Sequence, residues 1–110
     1  MTRFFEGAPR LHAPHLLDIE VASGVRRLVQ RKEITLDRAE QAFEDFSRFA
    51  IERHAHAPLL ARIWELRDAM TAYDGTYVAL AEALDAPLLT CDCRLARAHG
   101  HRAKIETIED

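Results

Sequence analysis

The strongest constraint on the fold of this chain is the alternation of helical periodicity with short apolar runs. Apolar residues recur every three or four positions over 15–30 and again over 36–50, which predicts two amphipathic helices, the second with Thr35 as its N-cap. Short strands are predicted beside them, at Leu11–Pro14 and at 49–53. This order of elements predicts an α/β domain with a mainly parallel sheet.

The second half of the chain continues the alternation. A short helix opening at Pro58 is followed by a strongly apolar helix that begins at Asp74 and is stopped by Pro87. Three further elements are predicted after it: a buried strand at 88–91, a short helix at 94–99 closed by Gly100, and a final strand at 103–108.

Length and composition predict one compact domain over residues 1–110. With 48% hydrophobic residues the chain can bury a core, yet no run approaches the ~18 apolar residues that a membrane span requires. Cys91 and Cys93 are too close for an unstrained disulfide, and the N-terminus has no apolar run of signal-peptide length. We therefore expect a cytoplasmic protein in a reducing compartment that has no membrane contact.

Three acidic residues lie where ligands gather in a parallel sheet, near the carboxyl ends of strands and the starts of helices. Asp92 directly follows the predicted strand at 88–91, and Asp74 opens the apolar helix. Glu20 lies at the flank of the apolar face of the first helix. These three residues are the candidate site.

Each candidate also has an ordinary structural interpretation. Asp74 and Asp92 could each cap a helix or face its dipole, and Glu20 could be a solvated rim carboxylate. Asp18 lies nearer to the apolar face than Glu20, so periodicity alone favours Asp18 as the acid of the first helix. The residues by themselves leave these alternatives open.

Three segments carry a family resemblance. Residues 16–28 read LLDIEVASGVRRL, residues 72–84 read AYDGTYVALAEAL, and residues 87–96 read PLLTCDCRLA. In this order they resemble the PIN-domain ribonucleases, specifically the VapC-type toxins of bacterial toxin–antitoxin pairs. The resemblance runs from about Leu11 to the C-terminus, and its most specific part is 73–96.

The resemblance implies a three-layer α/β/α sandwich in which a cluster of acids holds one or two Mg²⁺ or Mn²⁺ ions for cleavage of RNA phosphodiesters. By motif position, these acids fall on Glu20, Asp74 and Asp92. Hard divalent cations prefer carboxylate oxygens, and a bound metal can activate water for in-line attack. The sequence shows no serine–histidine–acid arrangement and no glycine-rich phosphate loop that would favour another chemistry.

The chain departs from the family pattern at its N-terminus. Family members begin with an apolar strand that ends in an aspartate, the first metal ligand, whereas the residues before Pro14 include no aspartate. We therefore expect a PIN-like domain without its usual first strand. Two hypotheses follow: an active endoribonuclease toxin, or an inactive remnant that binds an antitoxin or RNA.

A basic strip between Cys93 and Lys104 contains no acid. Its residues are Arg94, Arg97, Arg102 and Lys104. The strip is predicted to bind RNA phosphates, and Thr90 and Arg94, which flank Asp92, are predicted to contact the scissile phosphate. A solvated surface is the alternative.

The two amphipathic helices suggest a protein partner. A groove between them would accept an amphipathic helix of the kind that the antitoxins of this family supply. Ordinary core packing or a homodimer seam explains many of the same residues.

A zinc site formed by cysteine and histidine residues is a further possible role for the end of the chain. Cys91, Cys93, His99 and His101 are suitable in type, but only one residue separates the members of each pair, which is unlike structural zinc sites. A buried strand cysteine is the commoner role. His54 and His56 likewise do not form a recognisable site.

Overall fold

The computed structural model of the chain describes residues 11–90, 95 and 97–107. Its contacts divide the chain into two compact units, an N-terminal unit of Met1–His54 and a C-terminal unit of Ala55–Asp110. The single domain over residues 1–110 stays a prediction.

The N-terminal unit contains two strands and two helices. They are β1 (Leu11–Pro14), α1 (Leu16–Gln30), α2 (Leu36–Ser47) and β2 (Ile51–His54). The two strands pair in parallel, from Leu11 opposite Ile51 to Pro14 opposite His54. The predicted cap of α2 is confirmed, since the Thr35 side chain accepts a hydrogen bond from the Arg38 backbone N–H.

The helix predicted over 36–50 is shorter in the structure. The N–H groups of Arg48 and Phe49 bond to the carbonyls of Asp45 and Phe46 in a tightened last turn. Residues beyond this turn lead into β2, whose extended pairing is incompatible with further helix. The predicted strand at 49–53 accordingly lies at Ile51–His54.

The end of α1 is set by backbone geometry. Lys32 adopts φ 60°, its N–H bonds to the Val29 carbonyl, and the Glu33 N–H bonds to the Leu28 carbonyl. This pair of bonds is the Schellman arrangement, which satisfies carbonyls left without partners at a helix end. The break predicted around 32–34 is therefore confirmed.

Burial in the N-terminal unit is shallow. Among its described residues only Ala13, Pro14 and Ala39 are classed as buried, and α1 has no fully buried residue. The apolar positions of α1 that follow the predicted stripe, Leu17, Val21, Val25 and Val29, are half-buried. The amphipathic face is present, but it is incompletely covered.

The C-terminal unit folds around a core of buried residues. Its elements are a 3₁₀ turn (Ala57–Leu59), α3 (Leu60–Glu65), α4 (Ala72–Leu84), β3 (Leu88–Thr90) and β4 (Ile105–Thr107). Strands β3 and β4 are parallel, with Leu88 opposite Ile105. Most of the predicted helix at 94–99 lies outside the described residues.

Two predicted helix starts in the C-terminal unit are wrong by a few residues. Pro58 lies in the 3₁₀ turn, because the Leu59 N–H bonds to the His56 carbonyl three residues back, and α3 follows. Helix α4 begins at Ala72 and not at Asp74, since Thr71 is its N-cap.

Helix α4 has more buried residues than any other helix that the structure describes, as its apolar sequence predicted. Two clusters form on it: Leu59, Ala79 and Leu80 in one, and Leu66, Val78 and Leu95 in the other. The helix ends at Leu84 and is followed by Asp85, which adopts φ 49°, with a second Schellman pair of bonds just before Pro87. The predicted stop is confirmed.

Helices combined with parallel strand pairs in both units confirm the predicted α/β class. Within the described ranges, no helix has both the length and the apolar character needed to cross a membrane.

Candidate active site

Asp74 lies in the first turn of α4. Its backbone N–H donates to Oγ1 of Thr71 at 3.1 Å, so the N-cap is Thr71, and the Asp74 side chain is not needed for that role. The residue is half-buried, and no described group forms a hydrogen bond or an ion pair with its carboxylate. This carboxylate is therefore free of protein partners within the described ranges.

The helix that carries Asp74 is a rigid support. Gly75 and Thr76 directly after it are buried, and Val78 one turn on has no exposed surface. The buried Thr76 hydroxyl donates to the Ala72 carbonyl at 2.7 Å, which satisfies it within the helix. Gly75 lies close to Ile63 on α3, and this packing holds the first turn in a fixed position.

Helix α1 carries Asp18 and Glu20, the two acids between which the sequence did not decide. Asp18 accepts two hydrogen bonds from Arg53 on β2, from Nε and from Nη2, each at 2.8 Å. The hydrogen bond from Arg53 is the main cause that lowers the pKa of Asp18. Asp18 therefore serves in a bidentate pair that joins α1 to β2, while Glu20 is exposed on the same helix.

Asp92 and Arg94 lie outside the described residues, and so do Cys91 and Cys93 of the alternative zinc set. The structure describes β3 as far as Thr90, two residues before Asp92. Glu20 belongs to the N-terminal unit and Asp74 to the C-terminal unit. Convergence of the three carboxylates therefore stays a prediction.

The described part of the basic strip faces solvent. Arg97, Arg102 and Lys104 are exposed, and Thr90 is half-buried at the end of β3. The backbone N–H of Arg102 donates to Glu82 Oε2 at 2.6 Å, which fixes the main chain at this point of the strip. Exposed cations on a fixed backbone suit the binding of phosphate groups.

Glu82 is the centre of a polar cluster that the sequence reasoning missed. Arg62 on α3 donates from Nε to Oε1 at 2.7 Å and from Nη2 to Oε2 at 3.0 Å, and it also bonds to the Gly100 carbonyl. The Glu82 side chain is only 6% exposed. The hydrogen bond from Arg62 is the main cause that lowers the pKa of Glu82 and raises that of Arg62. The cluster ties α3 and α4 to residues 100–102.

A second cluster missed by the sequence reasoning lies on the β1–β2 pair. Nδ1 of His12 is 3.0 Å from Nε2 of His54 and 3.6 Å from Oε2 of Glu52. The sequence reasoning compared His54 with His56, its neighbour in the chain. The true partner of His54 is 42 residues away, and only the pairing of the strands brings the two rings together.

Comparison with known proteins decides the family. The model of the PIN domain family matches residues 1–100. The chain belongs to the PIN domain family. The resemblance predicted from the three segments is thereby confirmed, and the α/β architecture with parallel strands agrees with it.

The chain is similar in sequence to several VapC ribonucleases. VapC ribonuclease Mb0985 of Mycobacterium bovis is 48% identical over 89 residues, which are 81% of this chain and 70% of the relative. Ribonuclease VapC1 of Mycobacterium tuberculosis is 45% identical over 98 residues, covering 88% of this chain and 74% of the relative. Ribonuclease VapC12 of the same species is 41% identical over 98 residues, or 89% and 76% of the two chains.

Proposed function

We propose that this PIN domain is a metal-dependent endoribonuclease toxin of the VapC type. The observation that carries the proposal is its identity of 41–48% with ribonucleases named VapC over most of its length. Those names do not favour the alternative of an inactive remnant.

The metal ligands that we propose are Glu20, Asp74 and Asp92. Carboxylate oxygens are the donors that Mg²⁺ and Mn²⁺ prefer, so the donor set fits a divalent cation. The half-buried Asp74 carboxylate, which has no partner among the described groups, supports this role. A bound Mg²⁺ or Mn²⁺ would supply an activated water and would stabilise charge on the phosphodiester.

The residues of the chain have separate tasks in this mechanism. The Thr71 cap and the buried α4 hold the Asp74 carboxylate in place, so little reorganisation is needed during the reaction. Arg97, Arg102 and Lys104 bind RNA phosphates and position the strand, together with Arg94 and Thr90. The guanidinium of Arg62 does not contribute, since Glu82 holds it.

The decisive experiment is RNA cleavage by the purified chain with Mg²⁺ or Mn²⁺, compared between wild type and Asp74→Asn. Loss of outer-shell groups already lowers metal affinity or activity by about 10–100-fold, so loss of a ligand should lower cleavage by at least about 100-fold. Chelation with EDTA should have the same effect. Asp68→Asn is the matched control, because Asp68 is exposed in the same unit. Cleavage that survives EDTA and Asp74→Asn would overturn the proposal.

The proposed protein partner is an antitoxin whose amphipathic helix binds between α1 and α2. A groove of about 320 Å³ lies there, within the N-terminal unit. Its lining is Ala22, Val25, Arg26, Val29, Gln30, Leu36, Ala39, Glu40 and Phe43. The lining is mainly apolar with charges at Arg26 and Glu40, as suits a helix that has one apolar face and polar flanks.

A charged side chain in the groove should prevent this binding. We expect Phe43→Glu to weaken the complex with the cognate antitoxin by at least about tenfold, measured by calorimetry. Phe49→Glu is the control: Phe49 is exposed and does not line the groove. Equal binding by both variants would place the antitoxin elsewhere. A change of oligomeric state in Phe43→Glu alone would instead support a homodimer seam.

A further inference from the structure

We propose that His12, Glu52 and His54 form a binding site for a Zn²⁺-type transition metal ion on the β1–β2 strand pair. The site uses none of the proposed catalytic carboxylates, and the inference does not depend on the ribonuclease activity. It rests on strand register, on distances and on the chemistry of the three donors.

Strand register brings the three side chains to one face. His12 is directly opposite Glu52 in the parallel pair, and His54 lies two residues further along β2. Side chains two apart on a strand share a face, so Glu52 and His54 project beside His12. Arg53 between them projects to the opposite face, where Asp18 neutralises it. Its positive charge therefore does not face the three donors.

The distances suit a tetrahedral ion. Two nitrogens bound at the usual Zn–N length of about 2.0–2.1 Å lie roughly 3.3–3.4 Å apart. The 3.0 Å between the two ring nitrogens and the 3.6 Å between His12 Nδ1 and Glu52 Oε2 lie on either side of that value. One donor atom from each of the three residues lies within 4.8 Å of the others. Small rotations of the side chains are enough to close the site on an ion.

The donor types select the class of metal. Two imidazoles with one carboxylate form a common set for zinc that leaves a fourth position for water. Sites made only of carboxylates, such as the one proposed for catalysis, prefer Mg²⁺ or Mn²⁺. The side chains of His12 and Glu52 are 27% and 49% exposed, so an ion can enter from solvent. A bound ion would join β1 to β2 in the unit that has few buried residues.

Zinc binding can be measured without any activity. The chain, freed of any affinity tag, is titrated with Zn²⁺ against a chromophoric chelator in excess Mg²⁺. We expect one tight equivalent, weakened at least about tenfold by His12→Gln and by His54→Gln, since loss of a ligand exceeds the loss of an outer-shell group. His56→Gln is the matched control, two residues from His54 and outside the cluster. Glu52→Gln, at an exposed position, tests the third ligand if a histidine variant misfolds.

Two further readouts separate this site from other sources of binding. Co²⁺ should give the visible spectrum of a tetrahedral ion without thiolate charge transfer. At the same Zn²⁺ concentration, the unfolding midpoint should rise less in His12→Gln than in wild type. The variant with Glu20→Gln and Asp74→Asn should bind Zn²⁺ as wild type does. Binding that persists in the His12→Gln, His54→Gln double variant, or that is lost in Cys91→Ser, would overturn the proposal. So would the absence of tight binding in wild type.

Discussion

The N-terminal and C-terminal units differ in what holds them together. In the C-terminal unit, α4 buries six consecutive or nearly consecutive residues, from Gly75 to Ala81, against two apolar clusters. In the N-terminal unit, α1 has no fully buried residue, and polar pairs such as Asp18 with Arg53 join helix to strand. The first arrangement gives a rigid support for Asp74, whereas the second leaves an apolar groove between α1 and α2.

The two arginine–carboxylate pairs, one in each unit, differ in burial as the units do. Both are bidentate with donor–acceptor distances of 2.7–3.0 Å. The Glu82 side chain is 6% exposed, but that of Asp18 is 40% exposed. Water screens the attraction in an exposed ion pair and hydrates a charge that has lost its partner. Equal geometry therefore does not imply an equal contribution to stability.

The largest expected effect is in the core of the C-terminal unit. Leu66 is 2% exposed in the cluster with Val78 and Leu95, so Leu66→Ala should lower the free energy of unfolding by about 3 kcal/mol. Urea unfolding followed by fluorescence of Trp64, the one tryptophan of the chain, measures it. Ile19→Ala, at a position 69% exposed on α1, should change the value by less than about 0.5 kcal/mol. Equal losses would remove the contrast between the units.

The next effect concerns the two ion pairs. Glu82→Gln should cost about 2 kcal/mol, because it leaves the Arg62 guanidinium and the Arg102 N–H without their charged acceptor. Asp18→Asn should cost less, because water can hydrate the Arg53 guanidinium at that more exposed position. Urea unfolding of both variants by circular dichroism ranks the two pairs. A larger loss in Asp18→Asn would reverse the ranking.

The dependence on pH sharpens this ranking. The folded state holds the pKa of Glu82 below its ordinary value of 4.5. The stability that the ionised Glu82 gives to the folded state is therefore fully present above that pH. It is lost as the pH falls through the lower pKa of the folded state. The difference in stability between wild type and Glu82→Gln should therefore be constant near neutral pH and should shrink below pH 4.5. A constant difference down to acid pH would contradict the assignment.

The smallest expected change in the free energy of unfolding concerns two helix ends, one in each unit. Lys32 and Asp85 both adopt positive φ in Schellman turns. A left-handed conformation costs a lysine roughly 1 kcal/mol, which glycine avoids, whereas aspartate tolerates it better. Lys32→Gly should thus raise the free energy of unfolding by up to about 1 kcal/mol, and Asp85→Gly by less. A loss of stability in Lys32→Gly would show that its side chain makes a contact that matters more.

Much of the local structure could be predicted from the sequence. Thr35 as a cap, the stop before Pro87 and the apolar character of α4 follow from interactions within a few residues, which spacing and residue type record. Helix starts at Pro58 and Asp74 were misjudged by a few residues, because Thr71 and the 3₁₀ turn compete with equally plausible caps. The resemblance in three segments predicted the family, which the comparisons confirm.

The sequence by itself determined the family and most of the local structure of the described residues. Through the resemblance it also proposed the acids Glu20, Asp74 and Asp92, which stay candidates. Tertiary structure alone decided that Asp18 binds Arg53, that Glu82 holds Arg62, and that His12 meets His54. Each of these contacts joins residues 20 or more positions apart. Periodicity reports which face of an element is apolar, but the partner of a polar side chain depends on how distant elements pack.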